Sequence, residues 1–376
     1  MKISFLSAFP PYRGGISKHS SLIYKYLIKS HEVQALNFNK LYPSIFFPGK
    51  TQYDEKLDSI GERVLNSTNL ISWNNTASRI QEYSPDLFVF KFWHPFFVPC
   101  YNHIINKTRS KVDCKVIMIC DNIFPHEKFP FSKILIKKLL SKVDGFIVQS
   151  SIVEEELKSL IENPVYVKKF HPIYDSYPNP MNCLDAREKL NISNSKVVLF
   201  FGFVRKYKGL DILIKSMEKV FEVDEDIKLL IAGECYGDQN KYYDIINKSR
   251  YKDNIIWIED FISESEISKY FSASNVVILP YRTASQSGII PLAYHYNKPV
   301  ITSDLESLKE VIDEEKTGHT FQLGSVEDLQ TKILDFFNNC NYDLYEKNII
   351  EYKRNFSWES FVSGIDEVCK ALDERR

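Results

Sequence analysis

The chain has 376 residues, 44% hydrophobic and 14% aromatic, with 48 Lys and Arg against 49 Asp and Glu. That length holds two domains with substantial cores, and the near-balance of charge argues against a protein held on nucleic acid by bulk charge. Seven scattered cysteines, odd in number and without a C-x-x-C pair, argue against a disulfide framework and a zinc site and fit a reducing cytoplasm.

The opening MKISFLSAFPPYRGG has too short an apolar run for a signal peptide and reads as a first buried strand. No stretch reaches the ~18 apolar residues that span a bilayer. After the strand at 3–6 come Gly14-Gly15 and a helix over 17–29, with Leu22, Ile23, Tyr26 and Leu27 on one side. Strands follow at 33–36, 87–90, 115–119, 145–149 and 165–168, as short β-branched and aromatic runs suited to a parallel sheet buried on both faces. Residues 37–63 have little periodicity, and 42–48 reads as an aromatic loop. The Pro-rich HPIYDSYPNP (171–180) interrupts the rhythm and marks a linker, set at 173–195. Alternation then resumes: strand 197–201, helix 209–221, strand 227–232, helix 239–250, strand 254–258, helix 264–273, strand 275–279, helix 288–296 and strand 299–302. The expectation is an α/β protein of two Rossmann-like parallel-sheet domains facing a cleft, over 1–172 and 196–356. A last helix, 357–376, carries apolar Phe361, Ile365, Val368 and Leu372 and packs back on the first domain.

Ligands of such sheets bind off the carboxyl ends of strands, and the polar motifs fall there. Strongest is KVVLFFGFVRKYKGLD (196–211): an apolar strand, Gly202, a basic loop with Arg205 and Lys208, and a helix start. Backbone N–H groups, the helix dipole and the cations converge on a place for a phosphate or diphosphate. A solvated basic turn is the alternative. A second strand end, Tyr281 to Gly288, offers the N–H groups of Ser287, Gly288 and Ile289, although Ser287 reads equally as a helix cap. Gly14-Gly15 permits close backbone approach to a ligand. GGISKHS is not G-x-G-x-x-G, so a dinucleotide fingerprint is weakly supported. Past strand 115–119, Asp121, Asn122 and His126 form a polar cluster, and Trp93-His94 sits past strand 87–90; each reads also as ordinary loop structure. The helix at 131–142 carries Lys133, Lys137, Lys138 and Lys142, fitting either anionic lipid or an ordinary solvated face.

Together these residues resemble the family 4 retaining glycosyltransferases of the GT-B fold (glycosyl transferases group 1). The resemblance covers nearly the whole chain and is strongest over 196–318. FFGFVRKYKGLDILIKSM resembles the donor-phosphate loop. LLIAGE (229–234) and FISESEISKYFSASNVVILPY (261–281) resemble the next strands, and SQSGIIPLAYHYNKPVITSD (285–304) the segment with the nucleotide-sugar contacts. Thr317-Gly318 resembles the closing turn, CDNIFPHE (120–127) the acceptor-side loop and FSWESF (356–361) the returning helix. The resemblance implies a hexosyltransferase-like enzyme with a nucleotide-diphosphate sugar held by Gly14, Gly15, Gly202, Gly233, Glu234, Phe261, Ile262, Ser287, Gly288 and Ile289. Arg205, Lys208 and Asp121 would carry the chemistry. Trp93, His94, Asn122 and His126 would lie on the acceptor side. It implies no metal or other cofactor, no nucleic acid, and a glycan or lipid-linked acceptor in bacterial surface polysaccharide or glycolipid synthesis. The place would be the cytoplasm, or the inner face of the plasma membrane through an anionic surface. Three positions depart from the family: its Glu-x7-Glu pair falls at Ala284 and Leu292, its active-site His is Asp121, and the Arg after the loop glycine is Phe203, with Arg205 the nearest substitute. A sugar-nucleotide epimerase and a non-catalytic nucleotide-sugar-binding module remain open alternatives; a dehydrogenase is a weaker one.

Overall fold

In the computed structural model, whose described residues are 1–43, 52–54, 57–125, 129, 131–173, 177–192, 196–339 and 341–375, the chain divides into two units. One is Met1–His171 with Ser357–Arg376; the other is Pro172–Phe356.

The first unit holds strands β1 (Lys2–Ser7), β2 (Glu32–Lys40), β3 (Glu62–Asn66), β4 (Leu87–Phe92), β5 (Lys115–Cys120), β6 (Gly145–Val148) and β7 (Tyr166–Lys168). They form one parallel sheet in the order β3-β2-β1-β4-β5-β6-β7. All six residues of β4 are buried, as expected of a strand covered on both faces. Helices α1 (Gly15–Leu27), α2 (Leu70–Tyr83), α3 (Val98–Arg109), α4 (Ser132–Leu140) and α5 (Ser151–Leu160) connect the strands. Strand β2 runs on to Lys40, into the stretch expected to be aperiodic. Strand β3 and helices α2, α3 and α5 are additions to the elements expected of this unit. Helix α2 buries only Thr76, Ala77 and Ile80 and is started by Asn69, whose side chain accepts from the N–H groups of Ile71 and Ser72 at 2.9 and 3.1 Å.

The second unit opens with α6 (Cys183–Lys189), inside the stretch expected as linker. Arg187 ties it to the unit, donating from Nε to the Ala273 carbonyl at 3.0 Å and from Nη2 to Asn275 Oδ1 at 2.9 Å. Then follow β8 (Lys196–Phe201), α7 (Leu210–Val223), β9 (Ile227–Ala232), α8 (Asn240–Lys248), β10 (Ile255–Ile258), α9 (Ile267–Ala273), β11 (Val276–Leu279), α10 (Ile289–His295), β12 (Val300–Ser303), α11 (Glu306–Lys309), β13 (Gly318–Phe321), α12 (Val326–Asn339) and α13 (Tyr342–Tyr352). The sheet is again parallel, in the order β10-β9-β8-β11-β12-β13. From β8 the order runs outward to β10, and from β11 it runs the other way. The reversal between β8 and β11 is the switch point at which such sheets open a ligand crevice.

The last helix, α14 (Trp358–Glu374), returns to the first unit. Its buried stripe is Trp358, Phe361, Ile365 and Val368. Trp358 lies against His19 and Tyr26, with ring centroids 5.2 and 6.1 Å away, and Lys115 Nζ pairs with Asp373 at 2.6 Å. The six described cysteines are free thiols. Among the described residues no helix is long and apolar enough to cross a membrane.

Candidate functional site

In the second unit the site assembles at the carboxyl ends of β8, β9, β10 and β11. Strand β8 ends at Gly202, and the chain passes through Arg205 and a one-turn 3-10 segment, Lys206–Lys208, into α7. Gly209 turns that corner at φ 68°, and a Cβ there would lie 1.9 Å from the Pro280 carbonyl oxygen. Only glycine lets the loop sit this close to the end of β11. Gly233 after β9 is equally constrained: its Cβ would lie 2.1 Å from the Gly202 carbonyl oxygen.

Lys208 is 9% exposed. Its ammonium lies 3.3 Å from where a Cβ on Gly202 would stand and 5.5 Å from the centroid of the Tyr281 ring. Burial, with the Arg205 guanidinium second, pushes its pKa down to about 7, and no carboxylate offsets either effect. Among the described residues no carboxylate stands against this buried amine beside the switch point. Arg205 is half-buried and stands over the Tyr236 ring at 5.2 Å.

Phe203 stacks on Tyr236 at 4.5 Å and on Phe261 at 6.1 Å, both at 27° between ring planes. The loops after β8, β9 and β10 thus share an aromatic ladder. Glu234 and Ile262 are buried; the Glu234 carbonyl accepts from the Val204 N–H at 2.9 Å.

The start of α7 differs from the open anion receiver expected. Arg282 grips Asp211 in a fork at 2.9 and 2.8 Å and also donates to the Lys206 carbonyl at 3.0 Å. Burial alone would raise the Asp211 pKa, but the Arg282 fork holds it below its ordinary value. The first turn of α7 therefore already carries a carboxylate, and Arg282 balances its charge. On the other side of the crevice, Ser303 and Ser307 donate to the carbonyls of Tyr281 and Ala284 at 2.6 and 2.7 Å, fixing the 281–285 loop. Ser287 Oγ accepts from the Ile289 N–H at 3.2 Å, so the capping reading of Ser287 holds for that amide. Helix α10, beginning after Gly288, has seven residues. Gln286 Oε1 is buried with no hydrogen-bond partner among the described residues.

In the first unit, the expected residues stand at the carboxyl ends of β4 and β5. Asp121 is 4% exposed. Its Oδ2 accepts from Lys91 Nζ at 2.7 Å and its Oδ1 from Gln149 Nε2 at 2.6 Å. Lys91 is 1% exposed; burial lowers its pKa and Asp121 opposes the shift. Both carboxylate oxygens of Asp121 are thus engaged and its charge is balanced. Trp93 is buried: its ring packs tilted at 54° against Phe97 with centroids 4.7 Å apart, and its Nε1 donates to the Tyr42 hydroxyl at 3.1 Å. His94 Nδ1 accepts from the Phe96 N–H at 3.1 Å, and Asn122 Nδ2 donates to the Trp93 carbonyl at 3.2 Å. These contacts bring Trp93, His94 and Asn122 together; His126 lies outside the described residues. Gly14, at φ 103°, and Gly15 start α1 with no capping side chain, and a Cβ on Gly15 would meet nothing within 4 Å.

Sequence reasoning missed four contributors. Lys91 was visible as the one charge in the strand LFVFKF. Gln149 and Gln286 gave no signal. His19, in α1, is buried against His171 at 4.4 Å between ring centroids, with both ring nitrogens unpartnered among the described residues. Burial, then Lys91 and His171, hold its pKa well below the usual histidine range. Among the described residues no group of three or more His, Cys, Asp or Glu is placed to hold a metal ion.

Comparison with known proteins bears on both units. Residues 184–356 match the family model described as glycosyl transferases group 1. An uncharacterized glycosyltransferase of Methanocaldococcus jannaschii is 26% identical over 250 residues, 61% of this chain and 60% of that protein. A GDP-mannose:glycolipid 4-beta-D-mannosyltransferase of Xanthomonas campestris is 28% identical over 125 residues, 33% of this chain and 35% of that protein. The chain thus spans about a third to three fifths of the length of these curated relatives. The crystal structure of Anabaena HepE in complex with UDP-glucose superposes with a TM-score of 0.77 over all of both chains, at 14% identity. That likeness establishes the fold: two Rossmann-like domains of the GT-B type.

Proposed function

We propose that this chain, whose residues 184–356 match the family model described as glycosyl transferases group 1, moves a sugar from a nucleoside diphosphate sugar to an acceptor hydroxyl with retention of anomeric configuration. The observation that carries this reading is Lys208, a buried amine at the β8/β11 switch point that no carboxylate faces among the described residues. A diphosphate placed there gives Lys208 the counter-charge it lacks and takes up a proton on the lysine. As the sugar–phosphate bond breaks, negative charge grows on the leaving oxygen. Lys208, with Arg205 beside it, stabilises that charge without a metal ion; one such contact is worth on the order of 10²–10³ in rate. The acceptor oxygen forms the new bond to the anomeric carbon, and its proton passes to the leaving phosphate.

The UDP-glucose complex of HepE supports a uridine donor as the first to try. The Xanthomonas relative, by its name, supports a glycolipid or related surface-glycan acceptor. Gln286 Oε1, buried and unpartnered, is the acceptor we assign to a donor hydroxyl in place of the carboxylates absent at Ala284 and Leu292. Asp121, balanced by Lys91 and Gln149, acts as a positioning residue for the loop that carries Asn122.

A thermal-shift panel of UDP, GDP, ADP and their sugars tests the donor site, because a ligand bound only by the folded state raises Tm. At least one diphosphate should raise Tm by several degrees and fail to do so in Lys208→Ala. No shift with any of them would remove the reading. The anomeric configuration of the product, read by NMR, decides retention, and turnover undiminished by EDTA supports independence from a metal.

A further inference from the structure

The turn that carries Lys208 is weak by itself. Lys206–Lys208 is a single 3-10 turn closed by two backbone bonds, from the Lys208 N–H to the Arg205 carbonyl at 2.9 Å and from the Gly209 N–H to the Lys206 carbonyl at 3.3 Å. The hydrogen-bond geometry of so short a 3-10 segment is poor, and Gly209, at φ 68°, adds a flexible joint on its far side. Lys208 is buried all the same, so contacts from outside the turn hold it in place.

Arg282, just past β11, supplies them on both sides of Lys208. Before it, the Arg282 N–H donates to the Tyr207 carbonyl at 2.6 Å and Nη1 to the Lys206 carbonyl at 3.0 Å. After it, Nη1 and Nη2 grip Asp211 at 2.9 and 2.8 Å. Tyr281 adds its ring, whose centroid is 5.5 Å from the Lys208 ammonium and 6.1 Å from that of the Tyr207 ring. The Tyr281 carbonyl is itself held by the buried Ser303 hydroxyl at 2.6 Å, which anchors the clamp on β12. Such a fork needs the planar guanidinium; an ammonium is a point charge without that geometry.

We propose that Arg282 is a positioning residue for Lys208: it pins residues 206, 207 and 211 at once and so holds the Lys208 amine at the β8/β11 crevice. The proposal rests on the reading of Lys208 as the cation that meets the diphosphate, and adds what keeps it there. Asp211 already faces the Arg282 guanidinium, so Arg282 acts through Lys208 rather than on the ligand. The plainer role, a stitch between the end of β11 and the start of α7, would affect stability alone.

Arg282→Lys keeps the charge and removes the fork. Competitive acetylation of the full chain across pH, with Lys208 read by mass spectrometry, follows the amine with no ligand present. Of the titratable groups beside it, Arg205, as an arginine, is a fixed charge, and burial pushes the Tyr281 phenol up and keeps it neutral. The midpoint for Lys208 should lie at about 7 in the wild type and about one pH unit higher in Arg282→Lys, as water reaches the loosened turn. Calorimetry with UDP, GDP or ADP, whichever raises the wild-type Tm most, should show binding weaker on the order of 10-fold in the variant. A lower Tm with an unchanged midpoint and unchanged affinity assigns Arg282 to the stitch and overturns the proposal. If the wild type binds none of the three diphosphates, the donor reading falls and this proposal with it; wild-type binding matched by the variant overturns the positioning role alone. Should Arg282→Lys fail to fold, the same two readings on Ser303→Ala, which releases the Tyr281 carbonyl, decide. A raised midpoint with weaker binding supports the clamp, and wild-type values overturn it.

Discussion

Each unit buries a lysine at the carboxyl side of its sheet, and the two lysines are treated in opposite ways. Lys91 in the first unit has its anion built in: Asp121 at 2.7 Å, itself held by Gln149. Lys208 in the second unit is also buried, yet among the described residues the charge that acts on it is another cation, Arg205. A buried, compensated pair costs desolvation energy and returns a fixed geometry. A buried, uncompensated cation weakens the empty protein and reserves its interaction energy for a ligand. On the function proposed above, the shared architecture separates a structural task from a binding task by the placement of one carboxylate.

Removing the ammonium from each lysine breaks this symmetry most sharply. Lys91→Met strands the Asp121 carboxylate in the interior, and unfolding in urea should show a loss of about 3–5 kcal/mol. Lys208→Met should do the reverse to the empty protein and raise its Tm at pH 7. The sign follows from linkage. Burial and Arg205 push the pKa of Lys208 down to about 7 in the folded chain, from its ordinary value of 10.5 when unfolded. Between those values the unfolded chain holds more protons, so the lysine's destabilising effect is greatest at or below pH 7 and fades as pH climbs toward 10.5. The Tm advantage of Lys208→Met should shrink over the same window. If the variant is instead less stable than wild type at pH 7, Lys208 has a structural partner and the contrast fails.

Activity sharpens the contrast next. Lys208→Ala should lower kcat/KM by on the order of 100-fold or more through kcat, since the charge it meets is largest in the transition state. A loss confined to KM would make Lys208 a ground-state contact. A smaller effect belongs to His19: its depressed pKa means stability is complete above the ordinary histidine pKa near 6.5 and falls as pH drops below it. His19→Phe should flatten that acid limb in a Tm-against-pH series; an unchanged limb would place the acid sensitivity elsewhere.

Much of this was legible beforehand. Local signals announced β8, Gly202 and the basic loop, because strand, glycine and cation are neighbours in sequence. The βα rhythm announced the two sheets. What stayed hidden was set by pairing across distance. The partner of Asp121 is 30 residues away in an otherwise apolar strand, and the partner of Arg282 opens a helix 71 positions earlier. Helices α2 and α6 escaped notice because their apolar stripes are thin; side-chain caps at Asn69 and Asn182 start them instead. The ladder of Phe203, Tyr236 and Phe261 joins three loops that meet only once the sheet has formed.

The most direct measurement is proton uptake on diphosphate binding. Titration calorimetry with UDP, GDP or ADP, whichever raises Tm most, would be run at pH 8 in two buffers of different ionisation enthalpy. With its lysine mostly neutral when empty and charged when occupied, the wild-type protein should take up about one proton per ligand, and Lys208→Met about none. Equal uptake by the two proteins, or none by the wild type, would contradict the assignment of Lys208 as the cation that receives the diphosphate.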